Sequence, residues 1–303
     1  MNQITPIAAT LASLTLALAS AYASAREVVD RSGYDPGCGV AVESDHERLT
    51  VRWPLENGEV GQVVLDLRDG KPLFESMAIA AKQREPFRPV LRDVDPVTFL
   101  VVGERRSPEG RPPEMSMFNV FFDSPASRPF QVHRSHLDLK QVRVMSHGHR
   151  ATVALAGLTA GPFRDEWQIT VYPGARLVHL EAVVSTRQER RAFLYDTGLA
   201  SESSAANRLA WIDTEGKTRE AEPGSTTEDR HLAVRHRTIV AATPGGAVAC
   251  FPPPHQYFFP RDLTDNQQTV WYGRNHRGPS LRRLPGRQGE RHHDRPDPAV
   301  LIR

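Results

Sequence analysis

The fold is decided by residues 166–184: Glu166-Trp167-Gln168-Ile169-Thr170-Val171-Tyr172-Pro173-Gly174-Ala175-Arg176-Leu177-Val178-His179-Leu180-Glu181-Ala182-Val183-Val184. The first seven are dominated by aromatic, β-branched and alternating polar side chains and read as a strand. Pro173-Gly174 turns the chain, and Leu177–Val184 returns as the partner strand. Upstream, Gln141–Val144 alternates, Gly148 turns, Ala151–Leu155 returns, and Leu158 leads through Gly161-Pro162 into the quoted pair. Downstream, Phe193–Leu199 begins another strand.

The same signal recurs along the chain. Leu49, Val51 and Trp53 alternate with Thr50 and Arg52; Pro54 and Glu56-Asn57-Gly58-Glu59 turn; Val63, Leu65 and Leu67 return, and Asp69-Gly70 turns again. Asn-Gly supplies the positive φ that tight turns need. Val97–Val102 and Phe118–Phe122 are short continuous apolar runs of the buried-strand kind. Ala210–Asp213, Leu232–Val240, Ala247–Phe251 and Thr269–Tyr272 are later strands, and the polar stretch 214–230 is an exposed loop or hairpin tip. Short strands with turn signals about every 8–12 residues predict an all-β, antiparallel β-sandwich or barrel, here assigned to residues 26–275. No internal repeat of solenoid or propeller period is present.

The 303 residues, 24% charged and 39% hydrophobic, suffice for a sizeable core and exclude a disordered, collagenous or coiled-coil chain. Residues 1–25 run apolar and uncharged from Ile7 to Ala21 and end in Ala23-Ser24-Ala25. This is a signal-peptide pattern with cleavage expected after Ala25, so the mature chain is expected to be exported to periplasm, envelope or medium. No other stretch is apolar enough to span a bilayer. The formal charge of +2 gives no reason to expect nucleic acid. Residues 276–303 hold seven Arg and three acidic residues, and without them the charge falls to −2. That tail reads as a disordered, low-order segment, an off-frame ending or an anion-binding arm. Cys38 and Cys250 are the only cysteines; an oxidised bridge between them and two buried free thiols both fit.

Residues 163–186, Phe163-Arg164-Asp165-Glu166 through Val184-Ser185-Thr186, resemble the central hairpin of galactose-mutarotase-like β-supersandwich domains over some 60–80 residues. The whole chain is similar to exported bacterial proteins. The resemblance implies a large antiparallel supersandwich and carbohydrate chemistry, with the strand after the hairpin entering a sugar groove. That strand holds Phe193-Leu194-Tyr195-Asp196-Thr197-Gly198-Leu199, without the His of the mutarotase motif, so the usual mutarotase reaction is not expected.

The most distinctive chemical stretch is Phe251-Pro-Pro-Pro-His255-Gln-Tyr257-Phe258-Phe259-Pro-Arg261-Asp262. Sugar rings stack on aromatic faces while carboxylates and guanidinium groups bind hydroxyls. His255 is therefore the candidate acid or base, Tyr257 the candidate platform, and Arg261 and Asp262 the polar partners, with Tyr195 and Asp196 at the border. The competing reading packs these aromatics into the core. His133 and His136, and His147 and His149, are pairs too sparse to define a metal site, and no cofactor is expected. Nucleophile elbows, zinc-protease motifs and phosphate loops are absent from the sequence. Two functions remain: an exported carbohydrate-binding or carbohydrate-processing β-sandwich, or a non-catalytic envelope scaffold that binds other proteins.

Overall fold

A computed structural model describes residues 29–82, 86–104, 129–201, 208–222, 230–251, 270–273 and 276–281. The expected signal peptide and the Phe118–Phe122 run lie outside these residues. The described chain is all-β, with nineteen strands and two 3-10 turns.

The first sheet contains β1 (Val29–Gly33), β8 (His136–Ser146), β9 (Ala151–Ala160), β10 (Phe163–Val171) and β11 (Val178–Ser185) in the order β1-β8-β9-β10-β11. β1 runs parallel to β8 and the other pairs are antiparallel. The quoted hairpin is β10–β11, with Trp167 opposite Ala182, Ile169 opposite Leu180 and Val171 opposite Val178. These face the core: Trp167 is 1% exposed and Ile169 3%. A one-residue slip would expose the whole set, so burial fixes the register.

The second sheet is built from β2 (Ala41–Ser44), β3 (Arg48–Pro54), β4 (Val60–Asp66), β5 (Phe74–Ala80), β6 (Arg88–Glu104), β7 (Phe130–Arg134), β12 (Arg191–Ala200), β15 (Arg230–Leu232), β18 (Val270–Gly273) and β19 (His276–Leu281). Its order is β15-β18-β19-β12-β6-β5-β4-β3-β2, with β7 also on β6. The expected β3–β4 hairpin is present, with Asn57 and Gly58 both at positive φ and Leu55 N–H bonded to Glu59 O at 2.8 Å. β6 pairs with β5 through its first half and with β7 and β12 through its second. It changes neighbours beside Asp93, whose φ is 52° and whose carbonyl accepts from Ser201 Oγ at 2.9 Å. Flanked on both sides, Val97–Val102 is buried throughout, which explains a continuous apolar run in place of alternation.

The third sheet is β14 (Thr218–Ala221), β13 (Arg208–Ile212), β16 (Ile239–Thr243) and β17 (Gly246–Cys250) in the order β14-β13-β16-β17. One cluster of buried side chains, from Leu49 and Phe74 through Val142 and Trp167 to Leu209 and Ile239, joins all three sheets.

One sequence expectation is corrected. Leu232–Val240 is not one strand: it breaks into β15 and β16, with Arg237 at φ 52° and Val234 bridging Asp213 between them. His276–Leu281, where the expected low-order tail starts, is β19, paired with β18 and with β12 through Thr197 and Gly198. Strand pairing is made by backbone groups that every residue but proline carries in full. A composition poor in apolar side chains therefore does not exclude it.

Candidate functional site

The residues expected to carry the chemistry divide into two groups. His255, Tyr257, Arg261 and Asp262 lie outside the described residues. Tyr195 and Asp196 sit on β12, opposite Leu100 and Phe99 of β6. The Tyr195 ring is half-buried and packs against a small cluster of Leu100, Val102, Ala160 and Phe163. It stands 6.1 Å from Phe193, which meets Phe163 edge-to-face at 4.9 Å. Tyr195 thus ends an aromatic row. Cys38 and Cys250 are both buried free thiols, and burial pushes the Cys250 thiol up to about 12.

That row adjoins a polar groove of about 700 Å³. One wall comes from the end of β6 and from β7, with Val102, Glu104, Gln131 and His133; the other comes from the β9–β10 turn and the start of β12, with Gly161, Arg164, Gln188 and Arg191. Gly161 has φ 58°, and a Cβ built on it would lie 2.4 Å from the His133 ring. Only glycine both adopts this turn and lets the imidazole lie against the backbone. His133 Nε2 is buried and makes no hydrogen bond to the described residues, so this edge of the imidazole has no protein partner among them. Arg191 Nε donates to Gln188 Oε1 at 2.8 Å, which holds both side chains on one rim. Two guanidinium groups against one carboxylate make the groove cation-biased, suited to anionic or hydroxyl-rich ligands.

A second polar cavity, about 730 Å³, lies between the β4–β5 turn, the bend of β6 and the β7–β8 corner. It is lined by Asp66, Asp69, Asp93, Asp95 and Asp138, of which Asp66, Asp95 and Asp138 are engaged structurally. Asp66 accepts from Arg68 through both oxygens, at 3.0 and 2.7 Å, and this bond holds it below the usual carboxylate range. Asp95 Oδ1 accepts from Leu73 N–H at 2.7 Å, and Asp138 is bonded to Lys140. His136 lines this cavity and His133 the groove, so the pair does not converge. Among the described residues no group of three or more His, Cys, Asp or Glu is arranged to hold a metal ion.

The outer face of the first sheet holds a third polar feature. Glu166 is 6% exposed; it accepts from Arg143 at 2.5 Å and from Gln168 at 2.8 Å. Thr152 and Thr170 share a hydrogen bond of 2.8 Å beside it. Glu166 has a donor on each oxygen and the two threonines bond each other, so the seam registers the sheet and presents little unspent bonding capacity.

Sequence reading missed Arg164, Arg191, Gln131 and Gln188. Gly161-Pro162 marked a turn, and Arg164 follows it immediately. The opposite wall comes from strands 30 and more positions earlier in the chain, and no local signal joins the two. No protein-family model matches this chain, and no curated protein matches it significantly. Among the described residues no helix is long and apolar enough to cross a membrane.

Proposed function

We propose that this chain is an exported carbohydrate-binding or carbohydrate-processing protein, a β-sandwich of the supersandwich type, with its saccharide in the groove between β6–β7 and the β9–β10 turn. The observation that carries the reading is the juxtaposition in one groove of a half-buried imidazole with an unpartnered Nε2, two guanidinium groups and two carboxamides, beside an aromatic row. Saccharides are recognised by this combination: planar donors and acceptors for hydroxyls and carboxylates, and a flat apolar edge for the ring. The cation bias favours acidic sugars, uronates or sulfated glycans, over neutral ones.

Arg164 and Arg191 would hold a carboxylate, and His133 would exchange a proton with a bound sugar hydroxyl once its Nε2 turns out from the backbone of Gly161, where it is buried. A glycan array probed with the mature protein tests the reading. Binding of acidic glycans that falls about tenfold or more in Arg191→Ala supports it, the scale expected for losing a charge-assisted contact. Absence of saccharide binding at millimolar levels sinks it and favours the envelope scaffold. Turnover of a bound glycan that is lost in His133→Ala with little change in KM would assign processing as well as binding.

A further inference from the structure

A separate cavity of about 580 Å³ opens between the three sheets, at the other end of the β10–β11 hairpin. Trp53, Val63, Phe74, Met77 and Ile79 line it from β3, β4 and β5; Val178 and Leu180 line it from β11; Val248 and Cys250 line it from β17. Register places Trp53, Val63 and Met77 on the core side of their sheet, where Val51 lies opposite Val63 and Val63 opposite Met77. The mouth is latched. Trp53 Nε1 donates to Ala175 O at 2.8 Å, Gly174 N–H donates to Pro54 O at 2.8 Å, and Arg176 is ion-paired with Glu59. Three bonds between two turns hold the opening in one shape, as in ligand sites that exist before the ligand arrives. Leu177, 49% exposed, stands at the rim.

We infer that this cavity binds an uncharged, largely apolar small molecule. Its volume lies within the range of small-molecule sites. The charge pattern selects the ligand class: Arg176 at the rim is already paired with Glu59, so a charged ligand would lose hydration with no unpaired Arg, Lys, Asp or Glu among the described lining residues to receive it. An apolar molecule instead restores the dispersion contacts that the wall side chains lack across an unfilled space. The site is independent of the saccharide groove, and either assignment stands without the other.

The test uses N-phenyl-1-naphthylamine, an uncharged dye that brightens in apolar surroundings, added to the mature wild-type protein. The expected result is a saturable one-to-one fluorescence rise in the micromolar range, reversed by 1-decanol and not by galacturonic acid. Val248→Trp and Ile79→Trp each grow a half-buried wall residue into the cavity and should weaken binding about tenfold or more. Ile212→Ala removes the other large apolar side chain that is exposed among the described residues, on β13, and should leave binding unchanged. A rise that does not saturate, equal binding in either folded Trp variant, or loss of binding in Ile212→Ala overturns the inference. In those cases the cavity is closed by the chain itself or by a second copy. Thermal midpoints of the variants show which are folded, and displacement by decanol on the wild type decides the matter if both tryptophan variants fail to fold.

Discussion

β10 is one strand of nine residues, and its two ends are chemically opposite. At its start, Gly161-Pro162 and Arg164 border a polar groove with His133 and Arg191; past its end, Pro173-Gly174, Arg176 and Leu177 border an apolar cavity with Trp53 and Met77. About 26 Å of strand separates them, at roughly 3.3 Å per residue. The strand interior is nearly indifferent to this contrast: Trp167, Ile169 and Val171 bury one face while Glu166, Gln168 and Thr170 form a hydrogen-bonded seam on the other. Chemistry is thus set by the few residues next to each turn and by whatever distant strand lies opposite. The strand supplies rigidity and register.

Removing the shared support should break both ends at once. Trp167 is among the largest fully buried side chains and sits mid-strand. Trp167→Ala should cost about 3–5 kcal/mol in denaturant unfolding, the usual range for deleting a buried aromatic, and should weaken both acidic-glycan and dye binding. Loss of only one activity would mean that the two sites do not share β10 as their frame.

Gly161→Ala should separate the ends. Alanine in a left-handed conformation costs about 1–2 kcal/mol, and the new methyl would displace the His133 ring that lies against it. Saccharide binding should fall while N-phenyl-1-naphthylamine binding stays at the wild-type level. Equal loss at both sites would show that the turn transmits its strain along the whole strand.

The two ends were not equally legible in sequence. The β10–β11 hairpin could be read because its signals are local: β-branched and aromatic side chains, then Pro-Gly, then a return strand. The β3–β4 hairpin could be read for the same reason. The groove could not, since Gln131 and His133 meet Arg191 through pairing of β6 with both β7 and β12, and meet Arg164 where the β9–β10 turn of the other sheet lies against them. His133 was noticed for its spacing from His136, yet Ser135 makes a corner between β7 and β8, with Thr98 N–H donating to its Oγ at 2.8 Å, and the two imidazoles line different cavities. β19 was hidden for another reason: its membership rests on backbone pairing, which leaves no mark on side-chain pattern. The burial of Glu166 had no signal either, because alternation gives the face of a strand but not what covers that face.

pH sharpens the comparison from the apolar side. The buried Cys250 thiol, raised by burial to about 12 from its ordinary value, stays neutral in the folded protein while the unfolded thiol ionises. For an acid whose folded pKa is raised, stability is unaffected below the unfolded value and falls as pH climbs from about 9 toward 12. The expected loss is on the order of 1 kcal/mol at pH 10, and Cys250→Ala should lack this component. An alkaline profile identical in the two proteins would place the thiol in contact with water. Alkylation gives a second check: Cys250 should react at its full rate only after denaturation.

The smallest effect is expected at the rim of the apolar cavity. Arg176 and Glu59 are an ion pair with side-chain exposures of 54% and 25%. Exposed pairs contribute little, because solvent screens their attraction and ordering two long side chains opposes it. Arg176→Ala should therefore change unfolding stability by less than about 1 kcal/mol. Two latching hydrogen bonds, from Trp53 to Ala175 and from Gly174 to Pro54, remain in this variant, so the mouth keeps its shape and dye binding should stay near the wild-type level. The informative readout is selectivity. With Arg176 gone, Glu59 loses its partner and the rim carries an uncompensated negative charge, which should disfavour decanoate relative to 1-decanol as a competitor for the dye. If decanoate competes better in Arg176→Ala than in wild type, the pair does not set the charge preference of this entrance, and the contrast between the two ends of β10 rests on the apolar walls alone.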